Sequence, residues 1–157
     1  MSFLTKPIFL SKALPPRVSL TDQLEAALLR AKRILLVDDD ERLCALVRKI
    51  AREYEVDVLC AERSLEAKTM IDSDDRFDSV ILDVGVLNGD GIELYRWIQR
   101  EHPRLAVTFL TGNPIDAVAD KIHAVGSAPV YSKLTCMSVS FMEDFFEKLG
   151  ARRRAQA

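Results

Sequence analysis

The stretch Arg-Ile-Leu-Leu-Val-Asp-Asp-Asp at residues 33–40 decides the fold. Its apolar run at residues 34–37 is short and uninterrupted, which is typical of a strand buried on both faces of a parallel sheet. Three acids follow the run at once. Because ligands bind outside the carboxyl ends of the strands in such sheets, a polar site is expected where these acids begin.

The same pattern recurs along the chain. Short apolar runs predict strands near residues 34–37, 56–60, 80–82, 105–110 and 130–131, and an amphipathic segment predicts a helix after each of them. The apolar positions of these helices are Leu43, Leu46, Val47, Ile50 and Tyr54, then Leu65 and Met70 after a Ser64 cap, then Ile92, Leu94, Tyr95 and Ile98, then Ile115, Val118, Ile122 and Val125, and finally Phe141, Met142, Phe145, Phe146 and Leu149. Five strand-helix repeats predict an α/β fold with a doubly wound parallel sheet.

The flanks of this repeat divide the chain into residues 1–32, 33–150 and 151–157. Residues 1–18 contain three prolines and predict an extended arm, and Ser19 with Asp22 predicts the cap of an amphipathic helix that reaches Lys32. This extra helix either packs on its own domain or pairs with a second copy or a partner. The phenylalanines of the last helix leave the same choice between core packing and an interaction surface. The basic tail is interpreted as a solvated end.

Charge and cysteine content narrow the class of protein. The 22 basic and 24 acidic residues nearly cancel, which argues against binding nucleic acid or an anionic membrane. Little sequence remains for an effector domain, and no apolar run approaches the roughly 20 residues that a membrane span needs. Three cysteines, Cys44, Cys60 and Cys136, have neither the even number nor the spacing of a disulfide framework. A cytoplasmic location is therefore expected.

Polar residues at the predicted strand ends form a coherent set. Asp38 and Asp39 follow the first strand, Asp83 the third, Thr111 the fourth and Lys133 the fifth. Converging carboxylates require a cation, and oxygen ligands favour Mg²⁺, which binds through one or two carboxylates together with phosphate oxygens. Asp83 is then placed to attack a phosphoryl group and become an acyl phosphate, with Lys133 and Thr111 binding the phosphoryl oxygens.

The segments LLVDDD (35–40), VILDVGVLNGDG (80–91), FLTG (109–112) and VYSKL (130–134) resemble the receiver domains of two-component response regulators. The resemblance covers about residues 33–149 and implies a flavodoxin-like (βα)5 fold with strand order 2-1-3-4-5. It also implies phosphorylation by a histidine kinase or a phosphotransfer protein, and because little sequence remains for an effector domain, we expect a stand-alone receiver. Such a chain catalyses only its own phosphorylation and dephosphorylation, and it signals through protein contacts.

The resemblance assigns roles residue by residue. It implies that Asp38, Asp39, Asp83 and the backbone carbonyl of Gly85 bind Mg²⁺, and that Asp83 is the phosphorylated residue. Thr111 and Lys133 complete the catalytic set. Thr111 also belongs to the conformational switch, whose second member in this chain is at Val130.

Three positions depart from the family pattern, and all lie outside the catalytic set. Val130 replaces an aromatic residue whose rotation reports phosphorylation, and the neighbouring Tyr131 is predicted to face the other side of the sheet. Leu134 replaces a proline preceded by a cis bond, and Leu87 replaces a proline near the acceptor. We therefore expect conserved chemistry with an altered output mechanism.

Two other functions remain open. The departures are compatible with a receiver-like module that binds a partner without phosphorylation. The pair Asp38 and Asp40 also resembles the aspartates of haloacid-dehalogenase-like phosphatases, although Arg42 stands where that family has a small or β-branched residue. His102 and His123 are interpreted as structural or exposed.

Overall fold

The computed structural model describes residues 19–24, 32–73, 76–86, 90–151 and 153–155. The predicted extended arm, residues 25–31 of the predicted N-terminal helix and Leu87 lie outside these residues, and Lys32, which was predicted to belong to that helix, instead begins β1. The elements are a helical segment α1 at residues 20–24, β1 (Lys32–Val37), α2 (Glu41–Ala51), β2 (Val56–Ala61), α3 (Ser64–Ser73), β3 (Ser79–Asp83), α4 (Gly91–Glu101), β4 (Ala106–Thr111), α5 (Ile115–His123), β5 (Val130–Ser132), α6 (Lys133–Cys136) and α7 (Val139–Lys148).

The five strands form one parallel sheet in the order β2-β1-β3-β4-β5. This confirms the predicted fold class and strand order. All strands point the same way, so the residues that follow β1, β3, β4 and β5 share one edge of the sheet. That shared edge positions the candidate site.

Each face of the sheet carries its own buried cluster. On one face Leu35, Val37 and Leu82 pack under α3, α4 and α5. On the other, Leu36 and Ile81 pack under α2 and α7. Alternate residues of β1 thus enter opposite clusters, and because both environments are apolar, the strand sequence is an unbroken aliphatic run rather than an alternating one.

Capping explains where several helices begin. The backbone N–H of Asp22 donates to Ser19 Oγ, and that of Ser19 donates to the Asp22 carboxylate, which confirms the predicted capping pair before α1. The Asp40 carboxylate caps α2 in turn.

The predictions for α3 were wrong in two respects. Ser64 is the first helical residue rather than the cap, and its hydroxyl is buried without a hydrogen-bond partner. Glu66 instead accepts from the backbone N–H of Glu62, so a longer side chain reaches back over the turn. The buried face of α3 consists of Ala67 and Ile71, whereas Leu65 is 76% exposed.

The cysteine prediction was also wrong, because Cys44 of α2 and Cys60 of β2 form a disulfide. Their Cα atoms are 6.5 Å apart, within the range that a disulfide spans. Sequence spacing could not show this, since the two residues meet only when α2 packs back over the sheet. The cysteines therefore no longer support the expected cytoplasmic location.

The end of the chain contains two further features. A single helical turn, α6, separates β5 from α7, and the described residues contain no cis peptide bond, so Leu134 follows Lys133 in trans. Beyond α7, the backbone N–H and the guanidinium of Arg154 donate to the carbonyls of Glu53 and Tyr54. This part of the basic tail is therefore attached to the domain rather than free in solvent.

The aromatic residues of α7 belong mainly to the core. Phe146 is fully buried, and the half-buried Phe141 and Phe145 pack against the same cluster. Core packing is thus favoured over an aromatic interaction surface. Within the described parts of the chain, no helix is long and apolar enough to cross a membrane.

Candidate functional site

Three carboxylates meet at the carboxyl edge of the sheet. Asp38 directly follows β1 and Asp83 ends β3, and both are buried, whereas Asp39 is exposed. One oxygen from each of the three lies within 4.8 Å of the others. The structure thus brings together the acids that the sequence placed on separate strands.

Lys133 joins two of these acids. Its Nζ lies 2.8 Å from Asp38 Oδ2 and 3.1 Å from Asp83 Oδ2, and it donates to Asp38 Oδ1 at 3.1 Å. The lysine begins α6, where the Ser132 hydroxyl caps the turn by accepting from the N–H of Leu134. One cation is therefore shared between two buried carboxylates.

Burial and charge act against each other at this cluster. Burial raises the pKa of the Asp38 carboxyl, although hydrogen bonds from Lys133 and from the backbone of Asp40 act to lower it. Burial alone would lower the pKa of the Lys133 ammonium, but its hydrogen bond to Asp38 and the nearby charge of Asp83 outweigh burial and raise it. Three carboxylates facing one ammonium leave an excess of negative charge.

The acid cluster fits a small divalent cation on two observations. The three oxygens are close enough to converge on one ion with small side-chain rotations, and carboxylate oxygens are the ligands that Mg²⁺ prefers. In addition, Asp38 Oδ2 is buried and accepts no hydrogen bond of good geometry, even though the Lys133 ammonium lies close to it. A buried oxygen with unused lone pairs can serve as a metal ligand.

Thr111 lies at the same edge and is buried, as its position at the end of β4 requires. Its Oγ1 accepts from the backbone N–H of Asn113 at 3.0 Å and lies 3.3 Å from the Asn113 carbonyl. The hydroxyl is thus held at the start of the β4–α5 loop by short local contacts. To bind a group on Asp83, it must exchange its contact with the Asn113 carbonyl.

The turn after Asp83 is shaped by two glycines. The backbone N–H of Gly85 donates to Asp83 Oδ1 at 3.3 Å, which orients the carboxylate. Gly91 begins α4 so close to β3 that a Cβ there would lie 2.3 Å from the carbonyl oxygen of Asp83. Gly91 stood out in the sequence only as part of the motif at residues 80–91, and the structure adds that no side chain fits at this position without displacing the end of β3.

Asp40 has a different role from its neighbours. Its Oδ1 accepts from the N–H of Arg42 and the N–H of Leu43, which commits the carboxylate to capping α2. In a phosphatase of the haloacid-dehalogenase type this residue would have to act on the substrate. The geometry therefore disfavours that alternative.

The predicted switch position, Val130, packs against the cluster beneath α4 and α5, whereas Tyr131 packs on the opposite face against Phe141, with ring centroids 4.9 Å apart. This confirms that Tyr131 cannot replace an aromatic residue at position 130. The histidines lie away from the site. His102 Nε2 is 3.0 Å from an Asp72 carboxylate oxygen, a partner that sequence alone could not reveal, and His123 is exposed.

Comparisons with known proteins agree with this architecture. The model of the response regulator receiver domain family matches residues 34–134, well over half of the chain. No curated protein matches the sequence. The fold is that of a doubly wound α/β domain with an acidic edge, and the chain belongs to the response regulator receiver domain family of two-component signal transduction.

Solved structures support the fold. A response regulator from Thermotoga maritima is 18% identical, with a TM-score of 0.66, and the match covers 76% of this chain and 97% of that one. A CheY-like receiver domain protein from Methanospirillum hungatei is 24% identical, with a TM-score of 0.63, covering 76% and 94%. A phosphorylated cyanobacterial phytochrome response regulator is 18% identical, with a TM-score of 0.67, covering 74% and 91%.

Proposed function

We propose that this receiver accepts a phosphoryl group on Asp83 from a histidine kinase or a phosphotransfer protein, with Mg²⁺ as the cofactor. The observation that carries the proposal is the single Lys133 ammonium that contacts both Asp38 and Asp83 within a three-carboxylate cluster. A structural ion pair needs only one acid, whereas a transferring phosphoryl group needs both a nucleophile and surrounding positive charge.

Each residue has a defined part in this proposal. Asp38, Asp39, Asp83 and the Gly85 carbonyl would hold Mg²⁺, which neutralises charge on the phosphoryl oxygens when bound. One Asp83 carboxylate oxygen attacks phosphorus, the bond from phosphorus to the donor breaks, and an acyl phosphate forms. Lys133 then exchanges its contact with Asp83 for a phosphoryl oxygen. Because the chemistry is limited to the chain's own phosphorylation and dephosphorylation, we do not classify the protein as an enzyme.

The proposal is tested by incubating the protein with Mg²⁺ and acetyl phosphate and measuring intact mass. We expect one phosphoryl adduct in the unaltered protein and none in Asp83→Asn. The matched control is Asp120→Asn on the exposed side of α5, which should be labelled normally. No adduct on the unaltered protein, under conditions that label a control receiver, would contradict the proposal.

A second candidate function is binding to a partner without phosphorylation, and the position of Tyr131 favours it. The ring packs against Phe141, on the face of the sheet opposite to Val130, so it does not take the place of the missing switch aromatic. Partner affinity that is unchanged by Asp83→Asn and by removal of Mg²⁺ would support this alternative. Affinity that rises with phosphorylation would exclude it.

We further propose that the output is a protein contact, either with a signalling partner or with a second copy of the chain. The described part of α1 exposes Leu20 and Leu24, whereas the phenylalanines of α7 are committed to the core. The N-terminal helix is therefore the better of the two predicted dimer surfaces. In sedimentation experiments, the double variant Leu20→Ser, Leu24→Ser should contain fewer dimers than the unaltered protein. Equal dimer content would exclude α1 as the dimer surface.

A further inference from the structure

The disulfide lies beside the candidate site and forms part of a separate cavity. Cys44 and Cys60 line a cavity of about 360 Å³, together with Asp38, Glu41, Ala45, Arg48, Glu62 and Glu66. Asp38 is common to this cavity and to the acid cluster. The cavity and the acid cluster therefore share one residue, although the Asp38 side chain is itself closed to solvent.

Hydrogen bonds connect the sulfur pair with the acid cluster. The backbone N–H of Cys44 donates to the Asp40 carbonyl at 3.1 Å, and the N–H of Asp40 donates to Asp38 Oδ1 at 2.9 Å. On the other side, Cys60 is paired with Leu36 in the sheet, two residues before Asp38. The disulfide thus fixes the start of α2 relative to the strand that carries Asp38.

We propose that Cys44 and Cys60 form a reversible redox site whose oxidised state holds the acid cluster in its Mg²⁺-binding arrangement. The coupling to Mg²⁺ rests on the proposed function, whereas the redox chemistry of the pair does not. Reduction replaces a covalent link by a non-bonded contact, so the start of α2 moves relative to β2. Because Asp40 binds Asp38 through its backbone, that movement displaces a metal ligand, and a less preorganised site binds more weakly.

The charge of the cavity indicates the class of oxidant. Three exposed carboxylates, those of Glu41, Glu62 and Glu66, line it with the single guanidinium of Arg48, so an anionic disulfide such as oxidised glutathione is repelled and a neutral peroxide is favoured. Cys60 is the more exposed cysteine, and Cys44 is buried. The Cys60 thiolate attacks one peroxide oxygen and the O–O bond breaks, which gives a sulfenic acid and hydroxide; the proton that the thiol released converts the hydroxide to water. The Cys44 sulfur then attacks the Cys60 sulfur, which releases a second water and forms the disulfide.

The reverse step needs a dithiol. One of its sulfurs attacks the disulfide, and the second resolves the mixed disulfide, so the pair gains two electrons and two protons while the dithiol becomes a cyclic disulfide. Because dithiothreitol is uncharged at neutral pH, it should enter the acidic cavity. Reduction by dithiothreitol should therefore be less sensitive to added salt than reduction by anionic glutathione.

The redox site is tested by alkylation under denaturing conditions and intact mass. We expect iodoacetamide to modify one cysteine, Cys136, in protein treated with hydrogen peroxide, and all three after dithiothreitol. The cycle should repeat in Cys136→Ser with zero and two modifications. Peroxide treatment that leaves both Cys44 and Cys60 open to alkylation, or oxidises them without linking them, would overturn the redox site.

The coupling is tested by titrating Mg²⁺ into both forms in a calorimeter. We expect the Kd to be at least threefold higher in the reduced form, and no difference between treatments in the double variant Cys44→Ser, Cys60→Ser. Equal Kd values in the two forms of the unaltered protein would overturn the coupling while leaving the Mg²⁺ site in place. No Mg²⁺ binding in either form would instead overturn the Mg²⁺ site of the proposed function, and the coupling with it.

Discussion

The two ends of the signalling path in this receiver are built very differently. Around Asp83 the structure is fixed by buried contacts, including the Lys133 bridge, the close approach of Gly91 and the disulfide behind Asp38. By contrast, the chain leaves the sheet through the three-residue β5 and the four-residue α6, in which Leu134, directly after Lys133, is 83% exposed. Buried contacts thus fix the residues around Asp83 but not the exposed segment that begins at Leu134.

The largest expected effect concerns the disulfide, which lies close to the acidic residues around Asp83. Its reduction should lower the free energy of unfolding by about 3 kcal/mol, because the link closes a loop between two residues that are 16 positions apart in the sequence, and this restricts the unfolded chain. Urea unfolding with and without dithiothreitol measures the change. Cys44→Ser, Cys60→Ser is the control, since its stability should not respond to the reductant; an unchanged midpoint for the unaltered protein would show that the disulfide adds nothing.

The next effect concerns the ammonium shared by two acids. Lys133→Met should slow phosphorylation by acetyl phosphate by about 100-fold, because a preorganised positive charge near the transferring group is lost. The rate is measured from the mass adduct over time. Lys121→Met on the exposed side of α5 is the matched control and should retain the normal rate. A fall of less than threefold for Lys133→Met would remove the lysine from the catalytic set.

Gly91→Ala tests the close packing of α4 against Asp83. The added methyl group would collide with the carbonyl of Asp83, so unfolding free energy should fall by about 2 kcal/mol. Gly112→Ala is the control because its Cβ would meet nothing nearer than 4.0 Å, at Lys133 Cδ. Equal stability of the two variants in urea would show that the turn after Asp83 adjusts freely.

The smallest effect is expected for a substitution in α6. Leu134→Ser should change the unfolding free energy by less than about 0.5 kcal/mol, because the side chain is already mostly in solvent. Phosphorylation of Asp83 should proceed at the normal rate. A loss of unfolding free energy above about 1 kcal/mol in the same urea assay would mean that α6 is packed as firmly as the residues around Asp83.

Much of the fold was predictable because its determinants are local. The run at residues 34–37 must be buried on both faces, and Ser19 with Asp22 satisfies backbone groups only a few residues away. The site was predictable for a related reason. Parallel strands bring their carboxyl ends to one edge, so strand order alone gathers Asp38, Asp83 and Lys133.

What sequence could not show depends on distant contacts. Cys44 and Cys60 come together only because α2 packs on the sheet. Arg154 donates to the carbonyl of Tyr54, which is 100 residues away in the sequence. At α3, Glu66 rather than Ser64 accepts from the backbone N–H of the preceding turn. The mismatch at Val130 was visible in sequence, but its consequence was clear only when Tyr131 was located against Phe141. Local patterns thus predicted the elements and the site, whereas pairings between elements required the structure.

The most direct test of the central claim locates the phosphoryl group itself. After treatment with acetyl phosphate and Mg²⁺, reduction with borohydride converts a phosphorylated aspartate into homoserine, and peptide mass spectrometry identifies its position. We predict homoserine at position 83 alone, and none when Mg²⁺ is removed by a chelator. Homoserine at another aspartate, or at none in a protein that is folded and bound to Mg²⁺, would contradict the claim that Asp83 is the phosphoacceptor.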